Sequence, residues 1–235
     1  MAERYALIVS CEHGGNRVPR KYAYLFLGKR AVLNGHRGYD LGALVLARRL
    51  FSSLGQELYY STTSRLLVDL NRSPDNPRRF SEFTRGLGAE DKSKIEELYH
   101  LPYRRSVESA AAAHISRGET VLHLSVHSFT PMLNGKTRTA DVGLLYDPAR
   151  KREAEFCDGW RESLHSLEGS LRVRMNYPYK GVSDGLVTYL RGKFPKGKYL
   201  GLELEVNQKR ISGTKSEWRG LMRAVEESLK DVLSG

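Results

Sequence analysis

The stretch Tyr5-Ala-Leu-Ile-Val-Ser-Cys-Glu-His-Gly-Gly-Asn-Arg-Val-Pro19 joins a short apolar run to a polar, turn-forming cluster. Tyr5 to Ser10 is rich in β-formers and reads as a buried strand. Glu12 and His13 follow at once, then two glycines, Asn16, Arg17 and Pro19. In an open α/β sheet, ligand sites lie at the carboxyl ends of strands. A histidine there, beside glycines that permit close approach, is where a metal site can be built. A turn with a hydrogen-bonded histidine would have the same sequence. Two further clusters bear on the choice: His123-Leu-Ser-Val-His127-Ser-Phe and Glu203-Leu-Glu205.

Outward from this stretch, strand-like and helix-like segments alternate. Ala43, Leu46, Ala47 and Leu50 recur at helical spacing after Asp40, which sits where an N-cap belongs, and Gly55 ends the segment. Glu57 to Thr62 reads as a second strand. The run Arg65 to Leu70 emerges into Asn71 and Arg72 as though ending a strand, and a charged surface loop follows over 78–90. Asp91 opens a helix with Ile95, Leu98 and Tyr99 on one face, which Pro102 breaks or restarts. Strands are expected at Glu119 to Val126, Ala140 to Tyr146, Leu171 to Met175 and Tyr199 to Val206, with a loop over Ser128 to Thr139. Helices are expected at Ala149 to Leu167, Asp184 to Leu190 and around Trp218 to Leu229. The pattern predicts one α/β domain over residues 1–235, with a mixed, mostly parallel sheet flanked by helices.

Composition narrows the function. A chain of 235 residues with 40% apolar content is long enough for one sizeable core. No apolar run reaches the ~20 residues of a membrane span. The N-terminus leads into a strand without a signal peptide's apolar region, and two cysteines make no disulfide framework, so a cytoplasmic protein is expected. The net charge of +11 favours anionic partners. The cations are scattered in pairs such as Arg48-Arg49 and Arg104-Arg105, without a stacking strand or recognition helix. A small acidic substrate therefore fits better than nucleic acid.

A catalytic zinc takes three protein ligands and keeps a position for water. His13, His127 and a carboxylate from Asp40, Glu12, Glu203 or Glu205 would supply them, and a further glutamate can move the proton. Asn71 and Arg72 can clamp a substrate carboxylate. His123 is read as a core or sheet histidine, His100 and His114 as partly exposed helical ones, and His36 as a possible addition to the site. Cys11 is read as small and buried rather than nucleophilic.

Taken in order, several motifs resemble the N-formylglutamate amidohydrolase family. They are Ser-Cys-Glu-His13-Gly-Gly-Asn-Arg-Val-Pro, Tyr39-Asp40-Leu-Gly-Ala, Arg65-Leu-Leu-Val-Asp69-Leu-Asn71-Arg72, Ser-Val-His127-Ser-Phe-Thr-Pro131, Asp141-Val-Gly-Leu-Leu-Tyr-Asp147, Asn176-Tyr-Pro-Tyr-Lys-Gly181 and Leu-Glu205-Val-Asn-Gln208. The resemblance runs from about residue 7 to 212. It implies a zinc-carboxypeptidase-like (phosphorylase/hydrolase-like) α/β domain and hydrolysis of a C–N amide bond in an N-acyl or N-formyl amino acid bearing an acidic group. Zinc would be held by His13, His127 and Asp40, with Glu12 the other choice for the third ligand. Glu205 would be the general base, with Glu203 its rival two residues away. Asn71 and Arg72 would hold the acidic group, with Arg138 and Asn176 as further substrate-binding candidates. One departure stands out: carboxypeptidases place a carboxylate three residues after the first histidine, where this chain has Asn16. A peptidase, a peptidoglycan-type amidase and a non-catalytic anion binder are the alternatives.

Overall fold

Alternation of side chains along the strands divides this protein into two layers around one sheet. The computed structural model describes residues 5–54 and 57–235, so the helix stop expected at Gly55 lies outside the described residues. The strands are β1 (Tyr5–Cys11), β2 (Glu57–Tyr60), β3 (Thr120–Phe129), β4 (Met132–Leu133), β5 (Lys136–Thr137), β6 (Val142–Leu145), β7 (Val173–Met175) and β8 (Tyr199–Asn207). The helices are α1 (Arg30–Asn34), α2 (Ala43–Leu54), α3 (Ala89–Ile95), α4 (Leu101–Ser116), α5 (Lys151–Leu167), α6 (Leu186–Lys193), α7 (Gln208–Ile211) and α8 (Lys215–Ser234). Six strands form the sheet in the order β2-β1-β3-β8-β6-β7. β2, β1, β3 and β8 run parallel, and β6 with β7 runs against them. This is the α/β domain with a mixed, mostly parallel sheet that the alternation predicts. No helix among the described residues is long and apolar enough to cross a membrane.

Leu7, Val9, Leu122, Leu124, Val126, Leu200, Leu202 and Leu204 point to one face and pack on α2, α5 and α8. Trp160 is fully buried there and donates its indole N–H to Ser228 Oγ at 2.9 Å, so the largest core side chain leaves no polar atom unpaired. α8 begins with a complete capping box between Thr214 and Glu217, worth about 1 kcal/mol. The other face carries Ala6, Ile8, Val121 and Tyr199 against α4 and α6. Toward the strands' carboxyl ends, this second face turns polar: Ser10, Glu12, Ser125, His127, Glu203 and Glu205 are all buried. The register sets Ser125 opposite Glu203 and His127 opposite Glu205. A slip of one residue would turn this whole set to the apolar face.

Several local expectations are corrected. Residues 65–70 form turns and irregular chain rather than a strand, and Leu66, Leu67, Val68 and Leu70 build a third apolar cluster with Tyr22, Phe26, Phe80 and Ile95. Phe80 and Thr84 anchor the charged 78–90 segment to the body of the protein. Pro102 does not interrupt the chain's helical path. α3 and α4 join through a π turn, Glu96–His100, whose extra residue rotates the following positions. Leu98 is accordingly 64% exposed, and His100, expected to be partly exposed, is fully buried. The Ser128–Thr139 loop is shorter than read, because β3 continues to Phe129. Beyond it, Asn134 and Gly135 adopt φ of 50° and 73° and turn the small β4–β5 hairpin.

Candidate active site

The first strand delivers its histidine directly. β1 ends at Cys11, whose side chain faces the apolar layer, and burial with the nearby Glu12 and Asp40 charges pushes its thiol up. It is not a nucleophile of the site. Glu12 points the other way, into the polar layer, and His13 sits at the start of the turn. The backbone N–H of Asp40 donates to the His13 carbonyl at 2.9 Å, which pins the segment before α2 against this turn. Asp40 is thus 4% exposed and works through its carboxylate in the site, not as a helix cap.

His13, Asp40 and His127 converge, each offering an atom within 4.8 Å of the others. Asp40 Oδ2 lies 3.3 Å from His13 Nδ1 and 2.9 Å from His127 Nδ1. The outer nitrogens are engaged elsewhere. His13 Nε2 lies 2.7 Å from Asp69 Oδ1, and His127 Nε2 lies 2.8 Å from Ser125 Oγ and 3.2 Å from Glu12 Oε2. Ionised carboxylates only accept, so each ring spends its Nε2 proton outward. The Nδ1 lone pairs of neutral rings would then face Asp40 Oδ2. Three converging lone pairs repel unless a proton or a cation lies among them. The donor set therefore fits a divalent metal: two imidazoles and one carboxylate, with each imidazole held by a second carboxylate.

The charges respond accordingly. Burial alone would raise Asp40, but His13 and His127 hold its carboxyl well below the usual range. Burial is likewise overcome at His127, which Asp40 and Glu12 push well above an ordinary imidazole. Asp69, despite burial, is held low by Arg65 and His13. Arg65 spans the two aspartates: its Nη2 donates to Asp69 Oδ2 at 2.8 Å and its Nη1 to Asp40 Oδ1 at 3.4 Å. The role of Arg65 was not read from the sequence. Its presence in the same motif as Asp69, at i and i+4, was the available signal.

Glu12 is not positioned as a third ligand. It is fully buried behind His127, and its oxygens accept from Ser125 Oγ at 2.6 Å and Tyr103 OH at 2.9 Å. Asn16 is turned away, donating to Asn34 Oδ1 at 2.8 Å. His36 is exposed and does not join the cluster. His123 is buried between Tyr199 OH at 2.7 Å and Ser10 Oγ at 2.8 Å, as a core histidine.

A cavity of about 500 Å³ opens over the cluster. His13, Asp40 and His127 lie on its lining with Glu203 and Glu205, and Asn71 and Arg72 line it too. Glu205 is 4% exposed, and its Oε2 is buried without a hydrogen-bond partner. Burial pushes it up to about 8, against the pull of His127 and with the charges of Asp40 and Glu203 adding to the rise. Burial raises Glu203 as well, where His127, Arg191 and Arg72 are the neighbouring charges opposing the rise. Gly143 makes room for this wall: a Cβ there would meet the Tyr177 carbonyl oxygen at 1.8 Å and Glu205 Cβ at 3.3 Å.

Two of the expected substrate contacts are not supported. Asn176 does not line the cavity, and its Oδ1 accepts from the Tyr146 and Gly181 N–H groups at 3.1 and 2.9 Å, which holds its loop. Arg138 reaches the cavity only through Tyr179, donating to its hydroxyl at 3.3 Å and lying 5.1 Å from its ring centre.

Comparison with known proteins agrees with this picture. The sequence matches the N-formylglutamate amidohydrolase family over residues 5–212. No curated protein sequence matches the chain. The crystal structure of gene product Atu2144 from Agrobacterium tumefaciens is similar with a TM-score of 0.83 at 26% identity, covering 99% of this chain and 92% of that one. N-formylglutamate amidohydrolase from Ralstonia eutropha JMP134 is similar in fold, with a TM-score of 0.71 at 18% identity, covering 99% of this chain and 94% of that one. With the match extending over the whole sheet and every residue of the convergent cluster, this chain belongs to the N-formylglutamate amidohydrolase family.

Proposed function

We propose that this protein is a zinc-dependent amidohydrolase that cleaves the C–N bond of an N-acyl amino acid, N-formyl in the first instance, with an acidic group on the amino acid. The carrying observation is the convergence of His13 Nδ1, His127 Nδ1 and Asp40 Oδ2, with Asp69 and Glu12 occupying the two outer imidazole nitrogens. Imidazole and carboxylate donors make zinc the default metal. A zinc ion held by His13, His127 and Asp40 supplies Lewis acidity, which makes water nucleophilic near neutral pH and polarises an amide carbonyl.

The chain's own groups complete the reaction. Glu205, on the cavity wall opposite His127 in register, receives the proton of the attacking water and passes it to the departing amine nitrogen. Water adds to the acyl carbon, the C–N bond breaks, and the products are a carboxylic acid and an amine. Burial alone selects the protonated form of Glu205, but the positive charge of a metal held by His13, His127 and Asp40 would favour the ionised one, and its unpartnered Oε2 would then be the acceptor for that proton. Arg72 and Asn71 hold the substrate carboxylate on the same cavity. A volume of about 500 Å³ suits a substrate of amino-acid size better than a polymer. The convergence of Asp40 on the two histidines supports the catalytic reading over a non-catalytic one, since it offers the carboxylate that Asn16 does not.

Elemental analysis of the purified protein, with His13→Ala, His127→Ala and Asp40→Asn beside it, tests the metal site. On the order of one zinc per chain is expected in the wild type and a loss in each variant. A zinc-loaded wild type that turns over no member of an N-formyl and N-acyl amino acid panel would sink the activity.

A further inference from the structure

The loop that presents Asn71 and Arg72 carries its carbonyl groups to the side away from the cavity, into the α4 layer. Arg104 is 3% exposed, and its Nη1 shares its hydrogens among the carbonyl oxygens of Leu70 at 3.1 Å, Asn71 at 3.4 Å and Arg72 at 3.1 Å. His100, the last residue of the π turn, is fully buried and donates from Nε2 to the Arg72 carbonyl at 2.8 Å. The Arg104 guanidinium lies 4.6 Å from the ring centre of Tyr189 on α6, which fixes its plane. The opposite side of the same loop is fastened independently. The Asn71 N–H donates to Asp69 Oδ1 at 3.1 Å, Asn71 Oδ1 accepts from the Leu186 N–H at 2.7 Å, and Arg72 Nη1 donates to the Asp184 carbonyl at 2.6 Å.

A buried cation facing three successive carbonyls is costly to desolvate and supports little besides the conformation that points those carbonyls at it. That conformation sends the Asn71 and Arg72 side chains to the cavity. The π turn is what brings His100 under the loop, and such turns gather at functional sites.

We infer that Arg104, assisted by His100, is a positioning residue for substrate-carboxylate recognition: it clamps the 70–72 carbonyls so that Asn71 and Arg72 meet the substrate's anionic group. This deepens the reading above and rests on it for the identity of that group. Arg104 touches neither substrate nor the His13–Asp40–His127 cluster, so its loss should weaken substrate binding while sparing the metal and the chemical step.

The test compares wild type, Arg104→Met, Arg104→Lys, His100→Phe, Arg72→Ala and the Arg72→Ala/Arg104→Met double variant. Three quantities are read on zinc-loaded protein: zinc content, kcat and KM for N-formyl-L-glutamate, and the calorimetric Kd for L-glutamate, which needs no turnover. Arg104→Met should raise KM and Kd at least about tenfold, with kcat within about threefold and zinc unchanged, in line with loss of ground-state binding. Arg104→Lys, which keeps a cation with three donors, should recover most of the binding. His100→Phe, a milder change should Arg104→Met fail to fold, should shift both constants in the same direction by a few-fold. The double variant should lose less than the sum of the two single effects, because Arg104 acts in part through Arg72. Wild-type KM and Kd in folded Arg104→Met or His100→Phe, or full additivity with Arg72→Ala, would overturn the inference. Absence of turnover with Kd values still following this order would refute the amidohydrolase reading alone. A wild type that does not bind L-glutamate would remove the carboxylate site and this inference with it.

Discussion

Mild acid should destabilise this protein through His123. The imidazole is fully buried beneath the site, between Tyr199 OH and Ser10 Oγ, and burial lowers it to about 4 from an ordinary 6.5. The folded state therefore resists a proton that the unfolded chain accepts. Stability from this residue is complete above about pH 6.5 and is lost as the pH falls toward 4. At 1.36 kcal/mol per unit, moving from about pH 7.5 to about pH 5 costs ~2 kcal/mol through His123 alone. With a urea dependence on the order of 2–3 kcal/mol per molar, the unfolding midpoint should drop by ~0.7–1 M. His127 and the carboxylates around it also respond to pH, so the comparison is with His123→Gln, in which those groups are retained. Urea midpoints measured across this range should fall more steeply in the wild type, by the stated margin. Parallel profiles for the two proteins, or an NMR titration placing the folded His123 above pH 6, would refute the reasoning.

Three further outcomes follow from the site. Glu205→Gln should leave zinc bound but reduce kcat by about 10²–10⁴-fold, because the acceptor for the water proton is gone; an unchanged kcat would pass the role to Glu203. Glu12→Gln removes the charge behind His127 Nε2 and should weaken zinc binding about 10–100-fold in chelator competition, the range for a partner of a metal-binding histidine; equal affinity would show that Ser125 suffices to orient the ring. Gly143→Ala drives a methyl to 1.8 Å from the Tyr177 carbonyl, so thermal denaturation should show a loss of several kcal/mol, on the scale of severe overpacking, together with impaired activity from a displaced Glu205; a wild-type melting temperature would contradict it.

The alternation of short apolar runs with helical stripes was enough to specify the layered α/β architecture, because period-two and period-3.6 patterns bury different faces. Residues 65–70 escaped that logic. Their leucines and valine are apolar for a cap over the loops, and a run of apolar residues carries no mark of which partner buries it. Leu98 and His100 changed places between surface and core because one extra residue in a π turn shifts the face, and nothing local announces the insertion.

Local sequence also identified His13, His127 and the glutamate pair as groups worth placing, since a histidine or carboxylate at the end of a strand arrives at the sheet's carboxyl edge whatever the rest of the chain does. Which carboxylate meets the two imidazoles was left open among Asp40, Glu12, Glu203 and Glu205 by the residues themselves. Tertiary structure decided it: the Asp40 N–H bonded to the His13 carbonyl turns Asp40 toward both Nδ1 atoms, while strand parity sends Glu12 behind His127. The Arg65 bridge and the Arg104 clamp likewise depend on partners 25 and 34 residues distant along the chain, joined only when the loops pack on the sheet. Periodicity is a local property and survives in the sequence. The pairing of charges across a cavity is set by register and loop packing, and it comes into existence only in the fold.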